Sequence, residues 1–273
     1  MLSLIICSKR TDISHELKDN IKKTIGIDYE LIVIDNLKSK YSIFSAYNEG
    51  VRRAKGDIYC FMHEDIMYET KDWGQKVLKH FQEKDKLGLI GVFGGHYMPD
   101  CVCHIGDSDL LSGMFYFTDK GLNKKSCFYN QFFGNYTSIE VVAVDGLWFC
   151  IPKKLFDEIS FDEKTYNGFH YYDMDISMQI WSVGYTCEVV SDILVNHFSS
   201  GNINKNFIYS SYDFYKKWHS CFPMLKGISI DHQYVNIIKD LCRNKAYCRE
   251  LLVENKEKRA CCIKNTIKLL LKK

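Results

Sequence analysis

Apolar and polar positions fall into blocks of changing period over the first hundred residues. Leu2–Cys7 is a continuous apolar run, the pattern of a strand covered on both faces. Ser14–Ile25 is polar-rich, with a capping serine at its start and Gly26 behind it, which predicts a helix. Tyr29–Ile34 repeats the strand pattern and stops at Asp35 and Asn36. Ser42–Ala54 places Ile43, Ala46, Tyr47 and Val51 on one helical side, and Gly56 separates it from a third strand, Asp57–Met62. Trp73–Phe81 is again amphipathic, and Leu87–Phe93 is again apolar, ending at Gly94 and Gly95. Strand and helix alternating in this way predict right-handed βαβ units, and so an α/β fold with a mostly parallel sheet flanked by helices. Ligands of such sheets sit beyond the carboxyl ends of the strands. That rule singles out residues 8–12, 35–36, 63–65 and 94–96.

The period weakens from Met98 to Val142, which reads as an irregular insertion with short strands, of the kind that covers a substrate. A strand signal returns at Val141–Trp148, followed by helices at Lys153–Ile159 and Asp173–Val183 and a strand at Thr186–Val190. Phe207–His219 and the stretch from His232 onward read as helical. The expected organisation is a body over residues 1–200, with halves of about 1–95 and 96–200, and a C-terminal helical extension over 201–273.

The 273 residues carry a formal net charge of +2, which removes the basic surplus expected of a nucleic-acid binder. Twelve cysteines are scattered through a chain with ample apolar content, the usage of reduced core thiols in a cytoplasmic protein and not of a disulfide scaffold. The opening residues lack the basic flank of a signal peptide, and no apolar run reaches the ~18 residues of a membrane span. Asn255–Lys273 holds seven Lys or Arg against one Glu, a local excess of +6, interleaved with Ile263, Ile267 and Leu269–Leu271. That composition fits either a peripheral contact with an anionic membrane surface or a helix with a solvated basic face.

Three groups of residues carry candidate chemistry. His63, Glu64 and Asp65 leave a buried strand together, as an oxygen-bearing site for Mg²⁺ or Mn²⁺ or as an acidic turn. Asp173 and Asp175 open an apolar helix, either as ordinary caps alone or with one capping while the other acts as base or ligand. His197 follows a short strand, as a ligand or as a buried imidazole. Glycine-rich dinucleotide and P-loop fingerprints and the nucleophile elbow are missing from the sequence, so phosphate recognition here calls for a metal and cationic side chains.

In order and spacing, these features resemble the nucleotide-sugar glycosyltransferases of the GT-A fold, family 2-like. The resemblance runs over residues 1–200 through Leu4–Ser8, Leu31–Asn36, Ala46–Gly50, Ala54–Asp57, His63–Asp65, Val144–Gly146, Phe161–Glu163, Gly168–Asp175, Gly184–Tyr185 and His197. It implies a Rossmann-like GT-A domain and metal-dependent sugar transfer, with inversion, in bacterial polysaccharide or glycoconjugate synthesis. The partners it implies are a nucleotide-diphosphate sugar donor and a saccharide or lipid-linked acceptor. By the same resemblance Ser8, Lys9 and Asp35 meet base and ribose, and Asp65 and His197 hold Mn²⁺ or Mg²⁺. Asp173 is the general base, Asp175 supports it, and Asp145 and Gly146 lie beside the transferred sugar. His63 and Glu64 are also placed at the donor by the resemblance, but His63 stands where relatives carry an acid, which leaves open whether it touches the ribose or the diphosphate and whether Glu64 shares in neutralising the metal. Tyr172 likewise replaces an acid. His63 in the motif and the irregular acceptor region motivate the alternative of an inactive nucleotide-sugar-binding module, and the aromatic-rich stretches 115–136 and 207–223 that of a protein-interaction module. The expected location is the cytoplasm, at the inner face of the cell membrane if the basic segment meets lipid.

Overall fold

A computed structural model describes residues 1–108, 110–119, 124–129, 133, 136–198 and 205–230. Its first half alternates as the apolar blocks require: β1 (Leu2–Ser8), α1 (His15–Thr24), β2 (Tyr29–Asp35), α2 (Ile43–Arg53), β3 (Ile58–Met62), β4 (Ile66–Tyr68), α3 (Trp73–Glu83) and β5 (Leu87–Gly91). The Ser14 and Ser42 hydroxyls cap α1 and α2 by accepting from Leu17 N and Ser45 N. Short strands β6 (Phe93–Gly95) and β7 (Tyr97–Met98) precede β8 (Leu111–Asp119), β9 (Lys124–Tyr129), β10 (Ser138–Glu140), β11 (Ala143–Val144) and β12 (Trp148–Pro152). The chain then runs through α4 (Tyr172–Ser182), β13 (Thr186–Val190), β14 (Val195–His197), α5 (Lys205–Trp218) and β15 (Met224–Leu225).

The central sheet has seven strands in the order β10-β13-β5-β12-β3-β1-β2. Strands β2, β1, β3, β5 and β13 run one way, and β12 and β10 oppose them. Alternate residues feed two cores. Ile5, Tyr59, Phe61 and Phe149 face α2 and α4, whereas Leu4, Ile6, Cys60 and Trp148 face α1 and α3. Burial on both faces explains why β1 and β3 read as unbroken apolar runs.

Residues 98–142 are more regular than the sequence pattern suggests. Strands β8 and β9 form an antiparallel hairpin, and β8 joins a second sheet, β11-β6-β8-β14-β4. Met114, Phe115, Tyr116 and Phe117 follow one another in β8 and are all half-buried, so neither face gives the polar alternation that marks a strand. Helix α5 packs into the core beneath α4 through Ile208, Phe214 and Tyr215. The helix expected from His232 and the basic segment 255–273 lie outside the described residues. No described helix is long and apolar enough to cross a membrane, and no described cysteine is in a disulfide.

Candidate active site and metal centre

The carboxyl ends of β1, β2 and β3 lie side by side, with Ser8 in register with Asp35. Glu64, just past β3, turns toward the first loop, where Oε2 accepts from Ser8 Oγ at 2.5 Å and Oε1 from Lys9 N at 3.1 Å. Both of its carboxylate oxygens are thus engaged in fixing that loop. Asp35 is exposed and its Oδ1 accepts from Leu37 N at 3.0 Å. The Lys9 ammonium stands 5.9 Å from the Phe169 ring centre, and Phe169 is 46% exposed at the rim.

His63, grouped with the donor pocket by its place in the sequence, stands with Asp65 and His197. His63 leaves the end of β3 with its N–H on Leu147 O, and His197 enters from β14, in register with Ile66. Phe198 N donates to Asp65 O and closes the turn. The three ligand atoms form a triangle. His63 Nδ1 is 3.5 Å from His197 Nε2, and Asp65 Oδ1 is 3.5 Å from His197 Nε2 and 3.9 Å from His63 Nδ1. Ligand atoms held ~2.1 Å from one ion lie roughly 3.0–3.4 Å apart, so a small contraction of the triangle accommodates a divalent cation. Among the described residues this is the one such group of three. The side chains are partly open, at 22%, 31% and 14% exposure, which leaves a side for further ligands. Burial, and then the neighbouring His197, push the His63 imidazole below its ordinary proton affinity, so the ring is neutral as a ligand must be.

Asp173 lies in the first turn of α4, only 7% exposed. Its Oδ2 accepts from Gly146 N at 2.7 Å and its Oδ1 from Met174 N at 2.9 Å. Burial, followed by the repulsion of Asp145, raises its carboxyl to about 7. Asp145 itself accepts from Leu147 N at 2.9 Å. Tyr171, ahead of the helix, has φ +69, a left-handed conformation uncommon for a tyrosine and typical of turns that aim functional groups.

Asp175 is not beside Asp173. Two residues along a helix turn a side chain through about 200°, and Asp175 points into the α4–α5 contact. There, 1% exposed, it meets Lys217 Nζ at 2.8 Å, Trp218 Nε1 at 2.8 Å, Gln179 Nε2 at 2.8 Å and Tyr166 Oη at 3.3 Å. Its support is structural, fastening α5 beneath the helix that carries Asp173. Because removing one partner strands a buried charge, Lys217→Met is expected to lower stability by about 3 kcal/mol. Urea denaturation at pH 7 measures this, and a loss below about 1 kcal/mol would identify the pair as solvent-screened.

Tyr172, to which motif order assigns no role, places its hydroxyl 2.9 Å from His63 Nε2 and 3.1 Å from Gly146 O. The sequence signal that points to it is a tyrosine standing in place of an acid beside Asp173.

A family model described as "Glycosyltransferase like family" matches residues 3–220. No curated protein matches the chain in sequence. Among solved structures, TarS 1–349 of S. aureus aligns with a TM-score of 0.54 at 14% identity, over 98% of this chain and 80% of that one. TarS 1–349 in complex with UDP-GlcNAc gives 0.52 at 14% identity, over 97% and 79%. GalNAc-T7 with UDP, GalNAc and Mn²⁺ gives 0.51 at 12% identity, over 93% of this chain and 58% of that one. These likenesses establish a GT-A-like α/β fold.

Proposed function

The chain belongs to the glycosyltransferase-like family, and on that footing we propose that it transfers a sugar from a nucleoside-diphosphate sugar to an acceptor hydroxyl, with inversion at the anomeric carbon. The observation that carries this reading is the pairing of a His–Asp–His cluster with a buried carboxylate raised to about 7, both hydrogen-bonded to the Gly146–Leu147 segment. Asp173 takes the proton of the acceptor hydroxyl as its oxygen attacks, and a proton affinity near neutrality suits that task. His63, Asp65 and His197 hold the divalent cation, which, when bound, stabilises negative charge developing on the departing diphosphate. Two imidazole nitrogens in the donor set favour Mn²⁺ over Mg²⁺, whose preference is for oxygen.

Lys9 and Asp35, both exposed, offer polar groups to base and ribose, and Phe169 offers an exposed ring at the same rim. Ser8, expected in that pocket, is fully buried with its hydroxyl on Glu64 and Arg10 N, so its part is to fix the loop. The acceptor is a saccharide or a lipid-linked sugar in polysaccharide or glycoconjugate synthesis. With a lipid-linked acceptor, the basic 255–273 segment would draw the chain to the inner face of the membrane. Uridine nucleotides come first in testing because the TarS and GalNAc-T7 structures hold UDP-GlcNAc and UDP with GalNAc.

The test is a panel of nucleotide sugars against the full chain with Mn²⁺, Mg²⁺ or EDTA, read by thermal shift and by release of nucleoside diphosphate. The expected result is stabilisation by one nucleotide class and release that is fastest with Mn²⁺ and abolished by EDTA. Stabilisation without release, under all acceptors supplied, would support the inactive binding module. Neither effect with any nucleotide would overturn the proposal.

A further inference from the structure

Tyr172 is 3% exposed, and its hydroxyl meets both an imidazole nitrogen and a backbone carbonyl. The Gly146 carbonyl oxygen has no proton to give, so at 3.1 Å it must accept the one proton of Tyr172. The contact with His63 Nε2, 2.9 Å long, therefore needs its proton from the imidazole. Tyr47, whose ring lies 5.5 Å from that of Tyr172, brings a second hydroxyl to the same place, but it carries its own proton. A neutral imidazole with its proton on Nε2 has its lone pair on Nδ1, and Nδ1 is the atom that faces Asp65 Oδ1 and His197 Nε2.

We propose that Tyr172 is a positioning residue that holds His63 in the Nε2–H tautomer and so presents its Nδ1 lone pair to the divalent cation. The inference rests on the metal-centre reading above and adds to it the group that decides which nitrogen binds. Gly146 is part of the device. A Cβ there would stand 2.0 Å from the Tyr172 oxygen, so only glycine lets the hydroxyl reach this carbonyl. The same residue's N–H donates to Asp173 Oδ2 at 2.7 Å. One hydrogen-bonded path thus runs from the metal ligand through Tyr172 and Gly146 to the base. An outer-sphere hydrogen bond of this kind fixes the ring plane of a ligand as well as its tautomer, and its loss typically costs 10- to 100-fold in metal affinity.

The test uses the full chain labelled with ¹⁵N-histidine, free of metal, with His63→Ala assigning the resonance. Long-range ¹H–¹⁵N spectra at pH 7.5 are expected to show His63 as the Nε2–H tautomer in the wild type and as a mixture in Tyr172→Phe. Mn²⁺ affinity, followed by the electron paramagnetic resonance of the free ion, is expected to fall about 10- to 100-fold in Tyr172→Phe, short of the loss in His63→Ala. An Nδ1–H tautomer in the wild type would overturn the proposal even if the variant does not fold. A variant that keeps both tautomer and affinity would overturn it while leaving the metal centre standing. A wild type that binds no Mn²⁺ would remove the metal centre and this inference together.

Discussion

Asp173→Asn is expected to lower the rate of sugar transfer about 10²- to 10⁴-fold, the contribution of a positioned general base, while Mn²⁺ and nucleotide affinity stay within about twofold. The amide cannot accept the acceptor's proton, yet the His–Asp–His cluster that would hold cation and diphosphate is untouched. In the wild type, a carboxyl near 7 makes activity rise with pH through that value and then level off, and the variant loses this rising limb. Stability should respond in the opposite sense. An Asp in the unfolded chain titrates near 3.8, so between that pH and about 7 the folded state holds a proton that the unfolded state has released. The group's contribution to stability therefore falls as pH rises through this window, by at most about 4 kcal/mol. Asparagine carries no such penalty, although it meets the N–H groups of Gly146 and Met174 less well than a carboxylate does. The melting temperature of Asp173→Asn relative to the wild type, measured without metal, should climb from pH 4 to pH 7 and flatten above. A flat difference across that range, or wild-type turnover in the variant, would remove Asp173 from its role.

Asp65→Ala should fail differently. Asp65 supplies the one negative charge among the three ligand groups, with Oδ1 within 3.9 Å of both ligand nitrogens. Its loss leaves two imidazoles and no carboxylate, and Mn²⁺ affinity is expected to drop at least ~100-fold, about 2.8 kcal/mol. Donor binding measured in Mn²⁺ should fall to the level seen in EDTA, and transfer should disappear with it. Isothermal calorimetry with a nucleoside diphosphate, with and without Mn²⁺, distinguishes this loss from that in Asp173→Asn. Equal loss of nucleotide binding in both variants would contradict a division of labour between the leaving-group and nucleophile sides.

The parts of the molecule legible from sequence are those whose burial is simple. Strands covered on both faces give unbroken apolar runs, and Ser14 and Ser42 announce their helices because a cap is a local contact. The β8–β9 hairpin was hidden because its successive aromatics are half-buried on both faces. Asp65 and His197 are legible by motif order, Asp65 in the turn between β3 and β4 and His197 at the end of β14. The link between His63 and Tyr172 is not, because it joins residues 109 apart that share no spacing rule. Nor does any pattern aim the Glu64 carboxylate back at Ser8 and Lys9. The diverging directions of Asp173 and Asp175 were implicit in helical geometry, but the partners that bury Asp175, Lys217 and Trp218, lie more than forty residues downstream.

The clamp between α4 and α5 bears on where the molecule can be divided. A fragment ending at residue 200 would keep every proposed ligand and the proposed base, yet would strip Asp175 of its counterion and expose the core face that Ile208 and Phe214 cover. The smallest self-sufficient unit therefore extends through α5, and the matched span to residue 220 includes all of that helix. The last turn of α5 thus fastens the body that carries the proposed ligands and base, and a truncated chain is expected to keep its fold only where it ends beyond Trp218.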